Sequence, residues 1–412
     1  MKVLCILANE YPFGTWEPYL ETEINYYGAF DKVFVFSLQL RKEHAKTKRA
    51  VPEGVLVYPI FKKSNLVYFL YLFCAIFDRN FYSELLSIFK QHTQILGRIK
   101  YLMTSISRSY YEYGQIRSII SKSVGNGDQL VLYSYRFEYQ PYVAILLRSR
   151  CFQKAKIVSR AHGLDLYFER HSCNYIPLRN PIFKGIDRVF PCSAYGERYL
   201  KLRFPFFGDK VEASYLGTHD RLTMPINTLR KEPFKIVSCS RVDRVKRVHL
   251  IAEALSLIKG KKIEWTHIGG GEKDYTLQSI VQNLPSNVRT VFAGSLSNHE
   301  VLELYGKVGF NLFLNVSSTE GLPVSIMEAI SFGIPCVATN VGGTSEIIKD
   351  GVDGRLLNAN FQPEELADMI ESFIDMSEND YFGFCERSRA FWQEHFDAAR
   401  NYGLFSSCML RM

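Results

Sequence analysis

Two glutamates stand eight residues apart around a Gly-Leu-Pro turn in the last third of the chain, in the run Glu320-Gly321-Leu322-Pro323 through Glu328. Ser317, Ser318 and Thr319 offer capping hydroxyls, Pro323 suits a first helical turn because no N–H is needed there, and Gly333-Ile334-Pro335 stops the run, so the pattern predicts a helix over about 323–332. The N–H groups that open such a helix, from Gly321 and Leu322 onward, have no acceptor within it and carry partial positive charge, which suits a phosphate. Glu328 lies roughly one and a half turns further on, and Glu320 just ahead of the first turn. A carboxylate only accepts hydrogen bonds and would repel a phosphate, so the partners of both must be hydroxyls. A ligand with phosphate in its middle and polyols at both ends meets these demands, and a nucleotide sugar is such a ligand.

Two further groups of residues join this one. An apolar run at 156–159 leads into Arg160-Ala161-His162-Gly163-Leu164-Asp165-Leu166-Tyr167, which puts an imidazole at the carboxyl end of a strand, beside a flexible glycine and with Asp165 three residues on. After the run 234–239, Arg241 and Lys246 lie five apart in a strand-to-helix loop. Together they can converge on one diphosphate, the arginine through its planar fork and the lysine as a point charge. Arg244 and Arg247 are rival cations in that loop, and a merely solvated basic loop is the alternative. Gly269-Gly270-Gly271 ends another strand-like run and would let backbone approach a ligand, but it is not a full dinucleotide fingerprint.

These groups need a scaffold that places strand ends together, and the alternation of short apolar runs with helical patterns supplies it. Expected strands at 2–8, 32–37, 55–60, 129–134, 156–159 and 188–192 make a first domain over 1–217; those at 234–239, 262–268, 288–292, 310–316 and 334–339 make a second over 234–378. The polar, proline-containing stretch 218–233 reads as a linker, and 379–412 as helices that return to the first domain. The expected fold is α/β: two doubly wound Rossmann-like domains facing across a cleft, with ligand at the carboxyl ends of the strands. The first strand runs into a turn-rich loop, 9–14, and a helix over about 17–27, so Gly14 and Glu17 border that end of the sheet.

On these residues the chain resembles the retaining glycosyltransferases with two Rossmann-like domains, glycosyltransferase family 4, which have the GT-B fold. The resemblance covers nearly the whole second domain and, in the first, the His162 segment and the opening loop. It implies that Glu320 contacts the donor sugar, that the amides of Gly321 and Leu322 contact the donor, and that Glu328 holds the nucleotide ribose. It implies too that Arg241 and Lys246 neutralise the diphosphate, that His162 lies near the reacting carbon, and that the Gly14–Glu17 loop borders the acceptor. No metal or other cofactor is expected, since the two cations can do what magnesium would do. The Arg-Ala-His-Gly-x-Asp-x-Tyr run and the stretch opening at Glu320 resemble bacterial enzymes that extend capsule, exopolysaccharide or O-antigen repeat units. The implied partners are a nucleotide-sugar donor and a glycan acceptor linked to polyprenyl diphosphate, at the inner face of the cell membrane.

The whole chain bounds these readings. Its 412 residues suffice for two domains with their own cores, and 47% hydrophobic with 22% charged residues is a folded composition. The net charge of +8 is concentrated between 61 and 125, where nine basic residues face only Asp78, Glu84 and Glu112. Helical patterns at 66–77 and 81–89 in that aromatic segment fit either a helical insert on the sheet or a face lying on an anionic membrane, because periodicity cannot separate the two. The longest apolar run is too short to span a bilayer, residues 1–8 read as a buried strand rather than a signal peptide, and nine scattered cysteines without a CxxC pair imply a reducing, cytoplasmic compartment. A nicotinamide oxidoreductase would need a glycine fingerprint after the first strand, which Asn9 to Gly14 lacks. No nucleic acid partner is expected, because the charge is not set on a recognition helix. A non-catalytic nucleotide-sugar binder of the same fold is the remaining rival.

Overall fold

The first strand, KVLCILA, is buried at six of its seven residues, and its side chains divide by alternation: Val3, Cys5 and Leu7 enter one apolar cluster, Leu4, Ile6 and Ala8 another. A strand covered on both faces is what a parallel sheet between helical layers requires. In the computed structural model, which describes residues 1–125, 127–222, 226, 230–271 and 275–412, that requirement is met twice. The strands are β1 (Lys2–Ala8), β2 (Lys32–Leu40), β3 (Val55–Phe61), β4 (Gln129–Ser134), β5 (Lys156–Ala161), β6 (Arg188–Pro191), β7 (Phe234–Cys239), β8 (Ile263–Ile268), β9 (Val288–Gly294), β10 (Leu312–Asn315), β11 (Cys336–Thr339) and β12 (Gly354–Leu357). They form two all-parallel six-stranded sheets, ordered β3-β2-β1-β4-β5-β6 and β12-β11-β10-β7-β8-β9. Both orders reverse beside their first strand, between β1 and β4 and between β7 and β10, the place where such sheets bind ligands. The doubly wound α/β expectation holds for each unit.

One unit comprises Met1–Tyr215 with Asn401–Met412, the other Leu216–Arg400. Of the segment 379–412, only its last part joins the first unit. The helix Glu378–His395 stays with the second, where Tyr381 Oη donates to the Asn311 carbonyl (2.9 Å) and Ser388 Oγ to the Asp353 carbonyl (2.6 Å). The helix Ala398–Leu410 places Phe405 and Met409 in the β1-side core of the first unit, against Tyr133 and Phe190. Arg160 lies 4.0 Å above the Phe405 ring, and its Nε meets Glu23 at 2.9 Å, both side chains fully buried. Within the expected linker, residues 223–225 and 227–229 lie outside the described residues. Thr218 pairs with the short connection between the last two helices, its N–H donating to the Phe396 carbonyl (3.0 Å) while Trp392 Nε1 donates to its hydroxyl (2.7 Å).

The basic aromatic segment folds as three helices between β3 and β4: Asn65–Ala75, Arg79–Gln91 and Ile95–Ile120. The third went unread in the sequence because serines, tyrosines and arginines break up its apolar period, yet Leu102, Ile106, Tyr110, Tyr113, Ile116 and Ile120 form one buried face. The segment therefore contributes to the core through its inner side.

Candidate functional site

In the second unit the chain leaves β7 through Ser240 to Arg247 and leaves β10 through Val316 to Glu320, two loops that are neighbours because β7 and β10 pair. Asp243 shapes the first loop: its Oδ1 accepts from the amides of Val245 and Lys246, both at 3.0 Å. Arg247 bolts the loops together from a left-handed backbone (φ 49°), donating to the carbonyls of Val316 (2.8 Å), Ala359 (2.8 Å) and Ser317 (3.3 Å). Ser318 N–H donates to the Val245 carbonyl at 2.8 Å. Lys246 Nζ consequently reaches Glu320 Oε1 at 2.6 Å, and Asn315 Nδ2 donates to the same oxygen at 3.3 Å. Lys246 keeps donors beyond the one given to Glu320. Arg241 is not drawn into this pair: its side chain is 77% exposed and lies 3.8 Å from Asp243. Arg247, a rival cation in the sequence, braces backbone instead.

The Gly-Leu-Pro turn differs from its sequence expectation in helix length and in capping. The helix is shorter, Val324–Ile330, its cap is Pro323, and no side chain caps it. Ser318 Oγ donates to Val245 O (3.2 Å) and the Ser317 carbonyl receives Thr339 Oγ1 (2.5 Å), so these serines knit loops together rather than cap. What orients the turn's amides is Gly342-Gly343. Gly343 N–H donates to the Gly321 carbonyl (2.8 Å), and a Cβ on Gly342 (φ +56°) would lie 2.0 Å from the Glu320 carbonyl oxygen. A trans peptide points its C=O and N–H in opposite directions, so the N–H groups of Gly321 and Leu322 face away from the glycine pair. Neither amide has an acceptor among the described residues.

Glu328 is buried, and burial pushes its carboxyl up to about 7 against the opposing hydrogen bond from Asn298 Nδ2 (2.5 Å). Asn298 opens the helix Asn298–Val308 behind a Ser297/Glu300 capping box, and nothing in its sequence position signals a role thirty residues away. The glycine turn after β8 serves backbone packing. Added Cβ atoms would lie 1.8 Å from Ser240 O at Gly269 and 2.2 Å from Val242 O at Gly271, so this turn seats the Arg241 loop itself.

In the first unit the loops after β1, β4 and β5 come together. Glu17, at a left-handed backbone (φ 57°), turns its fully buried carboxylate back to the amides of Asn9 (2.9 and 3.0 Å), Glu10 (3.1 Å) and Tyr11 (3.0 Å). It builds the loop rather than presenting itself to a ligand. Gly14 (φ 59°) packs against His44, which bonds Glu10 at 2.7 Å. His162 N–H donates to Asp165 Oδ1 (2.9 Å) and its Nδ1 lies 3.4 Å from Oδ2, which fixes the ring beside Tyr135 (centroids 4.7 Å). Its Nε2 is buried with no hydrogen-bond partner among the described residues. Asp165 also receives the Phe137 amide (2.9 Å); burial opposes its charge, but His162, Arg136 and these hydrogen bonds hold the carboxyl well below the usual range. Arg136, 3.6 Å from Glu17 and near Trp16, completes this group and carried no signal in the sequence.

Residues 220–383 match the family of glycosyl transferases group 1. The resemblance to glycosyltransferases read from Glu320 and Glu328, which both lie within that span, is thereby borne out. Among curated relatives, the chain is 25% identical over 230 residues to the "Putative colanic acid biosynthesis glycosyltransferase WcaL" of Salmonella typhimurium, covering 53% of this chain and 55% of the relative. It is 23% identical over 238 residues to the "Amylovoran biosynthesis glycosyltransferase AmsK" of Erwinia amylovora, covering 55% and 57%. These matches thus span little more than half the length of either relative. Among solved structures, the apo form of the lipopolysaccharide outer core galactosyltransferase WaaB superposes over 100% of both chains with TM-score 0.71 at 14% identity. Anabaena Alr3699/HepE in complex with UDP and glucose does so with TM-score 0.68 at 15% identity. At such identities the likeness establishes the fold, two Rossmann-like units.

Proposed function

We propose that the protein is a retaining glycosyltransferase that moves a sugar from a nucleotide diphosphate sugar to a glycan acceptor in bacterial surface polysaccharide biosynthesis. The observation that carries the reading is the Lys246–Glu320 pair (2.6 Å) beside the outward amides of Gly321 and Leu322, at the strand-order reversal of the second unit. Charge develops on the departing diphosphate in sugar transfer, and preorganised donors aimed at it are the strongest catalytic means available. Lys246 and the two amides supply that, with Arg241 free to swing onto the outer phosphate. Glu320 accepts from hydroxyls of the donor sugar and is oriented by Lys246 and Asn315. Glu328, with Asn298 behind it, takes the ribose hydroxyls, and His162 the reacting sugar. The protein's cations replace a metal in this reading, so chelation with EDTA leaves activity unchanged.

The relatives named for colanic acid and amylovoran biosynthesis support a growing surface polysaccharide as acceptor; its carriage on a polyprenyl diphosphate and a peripheral place for the enzyme at the inner membrane face belong to the proposal. Among the described residues no helix is long and apolar enough to cross a membrane. The UDP complexes of HepE make uridine donors the first to try. UDP-, GDP-, ADP- and dTDP-sugars, tested by thermal shift and slow donor hydrolysis with Glu320→Ala and Lys246→Ala alongside, decide the matter. One donor class that stabilises and is hydrolysed, with both effects lost in the variants, supports the enzyme. Stabilisation without turnover in the presence of lipid-linked acceptor extract supports a binding protein instead, and no response to any donor refutes the site.

A further inference from the structure

The helix Asn65–Ala75 is apolar on two sides. Tyr68 and Ala75 enter the core, while Leu66, Phe69, Leu70 and Phe73, continued by Ile76 and Phe77, stay exposed, Leu66 at 72% and Phe77 at 87%. Their positions follow the three-and-four spacing of a single stripe, which on a globular protein's helix ordinarily faces the core. Here it faces outward, and large contiguous apolar surface of that kind marks an interaction site.

The charge around it has one sign. All three acidic residues of this segment turn inward: Asp78 accepts from Tyr110 (2.9 Å) and Tyr142 (2.5 Å), Glu84 from Tyr175 (2.8 Å), and Glu112 from Tyr139 (2.9 Å) and Gln39 (2.5 Å). Burial pushes the Glu112 carboxyl up to about 8 and raises that of Glu84 as well. Lys62, Lys63, Arg79, Lys90 and Lys100 remain outside. The helix Arg79–Gln91, which follows the stripe in the chain, lines with Lys184 a groove of about 840 Å³ whose wall holds Arg79, Lys90, Asn80 and Ser83 and the exposed Tyr82 and Leu86, but no carboxylate. None of its three cations has an acidic partner among the described residues. Cations with amide and hydroxyl donors between them form a phosphate site, and apolar side chains next to it suit the acyl region beneath a phosphate headgroup.

We propose that the outer face of the Asn65–Ala75 and Arg79–Gln91 helices docks on an anionic phospholipid bilayer, with a headgroup phosphate seated among Arg79, Lys90 and Lys184. The proposal rests on the membrane-side location in the proposed function and names the surface that provides it. A second copy of the chain is the poorer occupant, because a two-fold contact through this face would set like charges against one another.

The test is sedimentation of the full chain with vesicles of phosphatidylcholine alone or mixed with phosphatidylglycerol, at about 0.1 M and 1 M salt, between which the screening length falls from about 10 to 3 Å. Expected is binding to the anionic vesicles that weakens at least tenfold in high salt. Arg79→Gln/Lys90→Gln/Lys184→Gln should weaken it on the order of a hundredfold, at about fivefold per cation. Phe73→Ser/Phe77→Ser should weaken it as well. Unchanged thermal unfolding and an unchanged response to the donor in both variants separate this surface from the donor site. Equal binding to neutral and anionic vesicles, or full binding by the triple variant, overturns the proposal. So does concentration-dependent self-association abolished by Phe73→Ser/Phe77→Ser without vesicle binding, or stabilisation by inorganic diphosphate through the three cations without vesicle binding. Loss of every donor response with vesicle binding intact counts against the proposed function and leaves this surface standing.

Discussion

Replacing Glu328 by glutamine removes a titrating group that the fold holds away from water. The folded carboxyl gains its proton at about 7, against an ordinary 4.5, because burial outweighs the hydrogen bond from Asn298. Between those values the unfolded chain has ionised and the folded chain has not, so the folded state binds the extra proton. The stability this contributes is complete below the unfolded value and is lost as pH rises through the folded one. The gap corresponds to about 3 kcal/mol at about 1.4 kcal/mol per pH unit, most of it between pH 5 and pH 8. Structural relaxation and water entry reduce it toward about 2 kcal/mol. Glutamine keeps the shape and carries no titrating proton, so urea unfolding of both proteins at pH 5 and pH 8 reads the effect directly. The stability difference should move in favour of Glu328→Gln by about 2–3 kcal/mol over that interval. A difference constant within about 0.5 kcal/mol would show Glu328 already ionised at pH 5, and the reasoning from its burial would fail. If ribose hydroxyls are its partners, donor binding favours the ionised form, so affinity should rise from pH 6 to pH 8 in the parent protein and stay flat in the variant.

Lys246→Met should weaken donor binding by about 1.5–3 kcal/mol, the worth of a hydrogen bond to a charged group. Arg241→Ala, at an exposed position, should leave folding stability within about 0.5 kcal/mol while lowering donor affinity; calorimetric titration and denaturant melts check both. Gly342→Ala places a methyl 2.0 Å from the Glu320 carbonyl at a left-handed backbone, so it should cost at least 1–3 kcal/mol and misalign the Gly321 and Leu322 amides, seen as lost donor response in protein that still folds. Arg160→Met strands the buried Glu23 charge, at a cost of about 3–5 kcal/mol, and should expose the last helix to limited proteolysis before the rest of its unit.

Most of the scaffold was legible because a parallel strand covered on both faces must be a continuous apolar run. β1, β4 and β7 have the bounds their composition predicts. β12, four residues including Arg355, falls below that signal, and the helix Ile95–Ile120 hides behind its hydroxyls and tyrosines. Glu320, Glu328, Lys246 and His162 were nameable as chemical groups, three of them in loops that follow recognisable strands and Glu328 on the helix that the Gly-Leu-Pro turn opens. Their partners were not. Lys246 meets Glu320 across 74 positions, and Asn298 meets Glu328 across 30, because the sheet order returns β10 to the side of β7 after two other strands have been laid down. Which cation enters the site and which braces the backbone was likewise decided by where a φ of 49° at Arg247 sends its fork. So too was the inward turn of Asp78, Glu84 and Glu112, which leaves the charge on the outer face of that segment basic. Residue type and local period state what each side chain can do. Only the packing of distant strands and helices states what it does it to, since direction and distance across the fold are set by contacts that no local stretch contains.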